Sequence, residues 1–541
     1  MSGIASLAGV AGLVDSPRRP EIPNGPQTVA RVLDRALAGD RADEPALIGR
    51  GGRFTYRELD RAADAAAGAL AALGVGPYDR VAATLGNDVD IVVAFLGAMR
   101  LGAIWVGVNR PLAPPEKAYI LRDAGARVYL GDAAALEQID ALRGELPELE
   151  KLVSVLPGEA ASDWHRALEA ASGAPRPAAD IDPYAPAAIA YTSGTTGFPK
   201  GAVHSQHNLL LPGAVAAGTG AYPRGQRHGV LLPLTILNLM VLVPVLAFQI
   251  EGCCVCMDRV DAEGIAAWVR DEGVEHFAAV PAIYHDLLTN DAVNPADLAT
   301  LARPEVGGAE CPEAFLTLYR ERFGSDVSIG YGMTEAPTAV TRSAGDSPPT
   351  PGLCGRALPQ IAIDIVGEDG KACATGEVGE ICVAPAREGD WAGVYTPMLG
   401  YWNKPDETAK ALVDGVYHSG DLGYVDEQGD LYISGRRNDL ILRGGANVYP
   451  AEVERILHDD ERVAACAVLG KPDPRLGERV VAAVQLAEGA EATADELVAV
   501  CRASLARYKV PEEIHFVTSV PRNSMGKIVK RELHAELGIE S

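Results

Sequence analysis

The chain has 541 residues, enough for several domains with cores of their own. Its 73 Asp+Glu against 48 Lys+Arg leave a net charge of −25, which speaks against nucleic acid and anionic membrane as partners and obliges any anionic substrate to find a locally basic site. Hydrophobic residues at 48% and charged residues at 22% are those of a soluble globular protein, and nine scattered cysteines, an odd number, suit a reducing cytoplasm better than a disulfide framework.

The opening stretch, MSGIASLAGVAGLVDSPRRPEIPNG, has no basic residue ahead of its apolar run and reads as a disordered or docked extension, not a signal peptide. Thr55 and Glu58 fit a capping box that opens the helix ELDRAADAAAGALAALG. The strand RVAATL, the helix DIVVAFLGAMRLG and the strand IWVGV follow. After Pro114 and Pro115 come the helix EKAYILRDAG and then RVYLGD. Short apolar strands alternating with amphipathic helices predict a parallel sheet covered on both faces, and ligands in such sheets bind beyond the carboxyl ends of the strands.

A further apolar run, AAIAY, leads into YTSGTTGFPKGAVHSQHNL at residues 191–209. Glycines allow close backbone approach, hydroxyls and amide N–H groups donate, and Lys200 adds charge, so this loop is equipped to wrap a polyphosphate. It is not a Walker loop, because Phe198 and Pro199 separate Gly197 from Lys200. A helix is expected from about His207, with Pro212 disturbing its first turns. Residues 230–250 hold no charged side chain, yet Pro233 and Pro244 interrupt them, Glu251 closes them and no basic cluster flanks them, which predicts a buried core segment and not a membrane helix. Cys253, Cys254 and Cys256 lack a second pair or a histidine at zinc spacing and read as a buried apolar strand. The stretch SAGDSPPTPG leads to the strand-like IAIDIV, GEICVA and DLYISGR of a β subdomain, and beyond Arg436 helices and strands alternate as in a small α+β domain. There is no internal repeat.

Five short segments join the opening loop: GGAEC at 307–311, GYGMTE at 330–335, YHSGDLG at 417–423, GRRNDLILRGGANVYPAEVE at 435–454 and PRNSMGKIVK at 521–530. In this order and spacing the six resemble the adenylate-forming superfamily of acyl-CoA synthetases, luciferases and peptide-synthetase adenylation domains, over essentially the whole chain. The resemblance implies an α/β fold: a large N-terminal domain of parallel-sheet subdomains with covering helices plus a β subdomain, over residues 1–435, and a small mobile α+β domain over 436–541. It also implies a reaction in which a carboxylate attacks the α-phosphate of ATP, releases pyrophosphate and leaves an acyl-adenylate, after which a thiol takes the acyl group. Two anions must meet, so the work is positioning and electrostatic stabilisation.

Residue by residue, the resemblance assigns Thr192, Ser193, Gly194, Thr195, Thr196, Gly197 and Lys200 to the β- and γ-phosphates. Tyr331, beside Gly332 and Met333, is assigned to the adenine ring, with the backbone of Gly308 and Ala309 across from it. Thr334 would donate to the α-phosphate, Glu335 would hold Mg²⁺, and Asp421 with Arg436 would take the ribose hydroxyls. Lys527 would bridge the carboxylate and the α-phosphate in the first step, and Gly445 would line the tunnel for pantetheine when the small domain turns to its second pose. Two positions depart from the pattern: Asn438 stands at the hinge, where Asp or Lys is usual, and Thr235–Ile236 stand where relatives often carry an aromatic-His pair.

The 230–250 segment contains no acidic side chain to pair with a substrate ammonium, which argues against an α-amino acid. That segment, FAAVPAIY at 277–284, and Ala336–Pro337 suggest an apolar acid, whether fatty, alicyclic or aromatic. No carrier module follows Lys527, which favours free CoA as acceptor, with an acyl-AMP ligase loading a carrier protein as the alternative. Nothing marks the oxygen chemistry of a luciferase, and a non-catalytic acyl-binding relative would be expected to lack Lys527 or Glu335. The expected partners are a carboxylic acid, ATP, Mg²⁺ and CoA in the cytoplasm, with no nucleic acid or integral membrane association; the sequence leaves a homodimer open.

Overall fold

The computed structural model of the protein describes residues 10–14, 19–156, 162–192, 198–302, 305–307, 313–324, 326–343, 353–367, 369–436, 441–448, 450–521, 528 and 530–539. Two seven-stranded sheets form the centre of the large domain. In one, Arg80–Thr84, Ile104–Gly107, Val128–Gly131, Lys151–Ser154 and Pro186–Thr192 run parallel, and Lys200–Ser205 turns back antiparallel against Pro186–Thr192. In the other, Pro45–Gly49, Cys253–Cys256, Arg227–Val230, His276–Ala279, Glu305–Gly307 and Ser328–Gly330 run parallel, with Gly52–Thr55 antiparallel at the edge. The expected covered parallel sheets are thus present, each with antiparallel pairing at an edge.

The local chemistry explains most of the elements. Thr55 caps Tyr56–Ala72: its side chain accepts from the Glu58 N–H, and the Glu58 carboxylate accepts from the Thr55 N–H at 2.9 Å. The helix Val89–Leu101 was expected to be amphipathic but is buried at every position. Its two charged side chains are therefore paired: Asp90 with His165 at 3.0 Å, and Arg100 with Asp60 and Asp64, both at 2.5 Å. Burial raises the Asp90 carboxyl above the ordinary range despite the neighbouring imidazole.

The helix after the glycine-rich loop runs from Gln206 to Thr219, capped by Ser205 with Asn208, one residue ahead of the expected start. Pro212 does not disturb its first turns. It sits mid-helix on a stretch buried from Gln206 to Ala216, where packing outweighs the missing N–H. Within 230–250, Leu237–Met240, Val241–Val245 and Leu246–Gln249 form one helical run whose middle turn is π-wound around Pro244. Most of it is buried, as expected of a core segment, and among the described residues no helix is long and apolar enough to cross a membrane. Cys253–Cys256 is a fully buried strand. Of the N-terminal extension, residues 10–14 are docked: the Val14 N–H donates to the Leu399 carbonyl at 2.8 Å.

A mainly antiparallel sheet containing Ile361–Val366, Gly379–Pro385, Val416–Val425 and Asp430–Arg436 forms the β subdomain. A small C-terminal α+β domain is built on the hairpin Val463–Asp473/Gly477–Leu486, with Glu513–Phe516 parallel beside it and the helices Pro450–His458 and Ala494–Ser504. Among the described residues, its hydrophobic clusters draw only on residues from Ile441 onward, and the clusters of the large domain end at Ile433, so the two cores close separately.

Candidate active site

The carboxyl ends of both parallel sheets open onto one cavity of about 1130 Å³. Gly107, Thr192, Ala279 and Gly330 line it, each the last or nearly the last residue of its strand, which is where a parallel sheet exposes its ligand-binding loops. The β subdomain contributes Glu380 and Tyr417 to Asp421, and the small domain contributes Gly444, Gly445, Ala446, Tyr508 and Lys509.

Thr192 ends its strand directly opposite Lys200, so the glycine- and hydroxyl-rich connection is pinned at both ends by a ladder pair. The Thr192 hydroxyl lies 3.5 Å from Glu335 Oε1, and the Tyr401 hydroxyl donates to the same oxygen at 2.9 Å. Lys200 donates to Glu407 Oε2 at 3.1 Å and sits 4.7 Å above the Tyr401 ring. Burial works to raise the Glu407 carboxyl, but the hydrogen bonds and charges of Lys200 and Lys410 together outweigh it and hold the group below the ordinary carboxylate range. Gly332–Met333 pairs with Thr338–Ala339, and the tight turn between them carries Thr334 and Glu335 to the cavity wall.

Tyr331 is buried and its hydroxyl donates to Asp421 Oδ2 at 2.6 Å, joining the adenine and ribose candidates. Asp421 faces Arg436 in register on the neighbouring strand. The loop that presents Asp421 is braced by Glu380, whose carboxylate accepts from the Gly420 N–H at 3.0 Å and lies 3.1 Å from His418 Nδ1. Tyr417 lies buried against this group; burial first, and the nearby Glu335 carboxylate second, push its phenol well above the ordinary range. Gly445 has φ +80, and a Cβ there would lie 2.2 Å from Val280 Cγ1, so only glycine fits. Gly107 has a similar reason, since a Cβ would lie 1.9 Å from the Thr235 carbonyl oxygen. That close approach seats Thr235 against Asn109 and leaves Ile236 on the cavity wall in place of the aromatic-His pair.

The structure therefore gathers Thr192, Lys200, Tyr331, Gly332, Met333, Thr334, Glu335, Asp421 and Gly445 around one space. Ser193, Gly194, Thr195, Thr196, Gly197, Gly308, Ala309, Asn438 and Lys527 lie outside the described residues. Sequence reasoning missed Tyr401, Glu407, Glu380 and Lys509, which carry no motif of their own.

The family model for the AMP-binding enzyme matches residues 33–402, and that for the AMP-binding enzyme C-terminal domain matches residues 452–527. The chain belongs to the AMP-binding enzyme family. Among relatives in this family, the long-chain-fatty-acid–CoA ligase FadD13 of Mycobacterium tuberculosis is 33% identical over 486 residues, 90% of this chain and 93% of that protein. The fatty acid–[acyl-carrier-protein] ligase ScoC of Streptomyces coeruleorubidus is 33% identical over 507 residues, 90% and 92% of the two chains. The o-succinylbenzoate CoA synthetase (MenE) of Bacillus subtilis superposes with a TM-score of 0.81 at 27% identity, covering 93% of this chain and 97% of that one. As a member of the AMP-binding enzyme family with CoA ligases among its relatives, the chain is an AMP-forming acid–thiol ligase.

Proposed function

We propose that the protein activates a carboxylic acid with ATP to acyl-AMP, releasing pyrophosphate, and passes the acyl group to CoA. The observation that carries this reading is the convergence of Thr192, Tyr331, Glu335, Asp421 and Gly445, from four distant segments, on one cavity shared by both domains. In this reading Thr192, the hydroxyl- and glycine-rich stretch Ser193–Gly197 and Lys200 receive the β- and γ-phosphates. Asp421 accepts from the ribose hydroxyls with Arg436 beside it, and Tyr331 packs on adenine while its hydroxyl fixes the Asp421 carboxylate. Thr334 donates to the α-phosphate. Lys527 brings its ammonium between the two reacting anions, and the boundary of the part that carries it falls between residues 435 and 436.

Among the described residues, the hydroxyls of Thr192 and Tyr401 lie beside the Glu335 carboxylate, a hard oxygen set that fits Mg²⁺. When bound, Mg²⁺ would neutralise phosphate charge there, with Glu335 as its protein ligand. Gly445 lines the cavity with Val280 packed against it, and in the second step a pantetheine arm would pass along this side-chain-free edge. CoA and a carrier protein present the same arm, and the ScoC likeness keeps the carrier as the second reading. The body of the acid lies along Leu239, Leu242, Val243 and Leu246, an apolar wall suited to a fatty, alicyclic or aromatic skeleton. The test is acid-dependent exchange of labelled pyrophosphate into ATP across an acid panel with Mg²⁺, followed by thioester formation with CoA or with holo carrier protein. No exchange with any acid refutes the ligase reading; thioester on the carrier alone replaces CoA as the acceptor.

A further inference from the structure

The apolar wall of the cavity ends on a polar floor. Tyr222, His276, Glu305 and Arg342 all line it. The Tyr222 hydroxyl donates to Glu305 Oε1 at 2.9 Å and accepts from Arg342 Nη2 at 2.9 Å. Arg342 also forms an ion pair with Glu305, and its guanidinium lies 4.9 Å from the centre of the Tyr222 ring. His276 places Nε2 4.0 Å from Glu305 Oε2, and its ring packs 5.1 Å from Tyr222 and 4.7 Å from His228. Burial, reinforced by the Arg342 charge, pushes the His228 imidazole down to about 3 and keeps it neutral.

The cluster lies deeper than the residues proposed for the reaction. Glu305 pairs with Ser328, two residues before the partners Gly307 and Gly330, and the chain runs on from Gly330 through Tyr331 and Gly332–Met333 to the turn bearing Thr334 and Glu335. At the usual rise per strand residue, this places Glu305 about 7 Å down the sheet from the Gly307–Gly330 level, beyond which the chain continues toward that turn. An acid whose carboxylate meets Thr334 thus points its far end at the cluster. Such a constellation is poorly explained by stability, since an apolar substitute for a semi-buried ion pair is often as stable or more so. Its charges also cancel: a second carboxylate on the acid would meet Glu305, and an ammonium would meet Arg342. A hydroxyl can donate to Glu305 while accepting from Arg342, and a ketone can accept from Arg342, without breaking the pair.

We propose that Tyr222, Glu305 and Arg342 form a recognition subsite for a neutral hydroxyl or keto oxygen at the end of the acid remote from its carboxylate; this rests on the ligase reading above. The apolar acid expected from the sequence becomes an apolar skeleton with a polar terminus. A site that offers hydrogen bonds to such an oxygen favours it over the analogue lacking it, because an apolar terminus would cover the cluster's cavity-facing polar groups without bonding to them.

The test uses the full-length enzyme and matched acids: phenylpropanoate against its para-hydroxy derivative, cyclohexylpropanoate against its para-keto derivative, and octanoate against its terminal hydroxy and dicarboxylate derivatives. The readout is the ratio of kcat/KM, oxygenated to plain, in pyrophosphate exchange. At least one oxygenated acid should be favoured about 10-fold or more, and Tyr222→Phe and Arg342→Met should drive that ratio toward one while keeping turnover of the plain acid. Tyr222→Phe retains the ring and carries the test alone if Arg342→Met does not fold. Plain acids equal or better in every series, preference for the dicarboxylate, or a ratio untouched by Tyr222→Phe would overturn the subsite. Absence of exchange with every acid would instead overturn the ligase reading beneath it.

Discussion

The pose of the small domain is held by a buried charge cluster whose removal should separate the two half-reactions. Lys509, 3% exposed, donates to Glu116 Oε1 at 2.8 Å and to Glu452 Oε1 at 2.7 Å. Lys509 and Glu452 belong to the small domain and Glu116 to the large one, so the Glu116 bond crosses between them. Burial works against the Lys509 ammonium, but the Glu452 and Glu116 carboxylates outweigh it and hold its pKa above the ordinary lysine value. Glu116→Gln keeps the shape and the Lys509–Glu452 pair while removing the ionic contact across the interface. A hydrogen bond to a charged group is worth about 1.5–3 kcal/mol, so the population of this pose should fall roughly 10- to 100-fold relative to other poses.

In this pose Gly445 faces the cavity, which the proposed mechanism links to thiol transfer. Single-turnover conversion of presynthesised acyl-AMP and CoA to thioester should therefore slow by up to about the same factor, while acid-dependent pyrophosphate exchange holds or rises. Thermal unfolding should stay in place, because the two cores close separately and Arg455 still stacks 4.3 Å from the Phe198 ring across the interface. Equal slowing of both half-reactions, or unchanged thioester formation, would refute the assignment of this contact to the pose. Lys509→Met should be more severe, since it leaves two carboxylates buried without their cation, a loss of about 3–5 kcal/mol.

Three further outcomes are expected. Lys527→Ala should abolish adenylation yet still convert supplied acyl-AMP to acyl-CoA, and equal loss in both assays would remove the lysine from its proposed role. Gly445→Ala should retard the thioester step because its Cβ meets Val280 and φ is +80; the backbone strain alone is worth about 1–3 kcal/mol, so Val280→Ala in the same chain should restore activity only in part. Tyr331→Phe removes the donor 2.6 Å from Asp421 and should raise KM for ATP about 10-fold with little change in KM for the acid; matching changes for both substrates would contradict it.

The cavity residues of the proposed nucleotide side were legible because each contributing segment is local: Thr192 and Lys200 are ladder partners close in sequence, and Gly332 to Glu335 makes one turn. Their chemistry is written in consecutive residues. The polar floor was not legible, since Tyr222, Glu305 and Arg342 come from a loop and two different sheets, with no pattern around any of them. Val89–Leu101 shows the same limit in the fold. Periodicity reports a difference between two faces of a helix, and a helix buried all round has no such difference to report. Pro212 was misjudged in the other direction, because intrinsic helix preference says nothing about the packing that overrides it.

The charge pattern of the cavity gives a reason for the hydroxyl- and glycine-rich sequence in the proposed mechanism. Among the described residues, its lysines and arginine are already engaged: Lys200 and Lys410 with Glu407, Arg342 with Glu305, and Lys509 with Glu116 and Glu452. In that mechanism a triphosphate would meet, among the described residues, paired cations and not a basic patch. Neutral donors have no counter-ion to displace. In the proposed reading the Thr192–Gly197 sequence would supply them in hydroxyls and backbone N–H groups, and the Lys200–Glu407 pair would yield its cation to a phosphate once those donors hold it. In the proposed mechanism, that division leaves one cation, Lys527, to be delivered by a moving domain, so that positive charge reaches the two reacting anions only when both are in place.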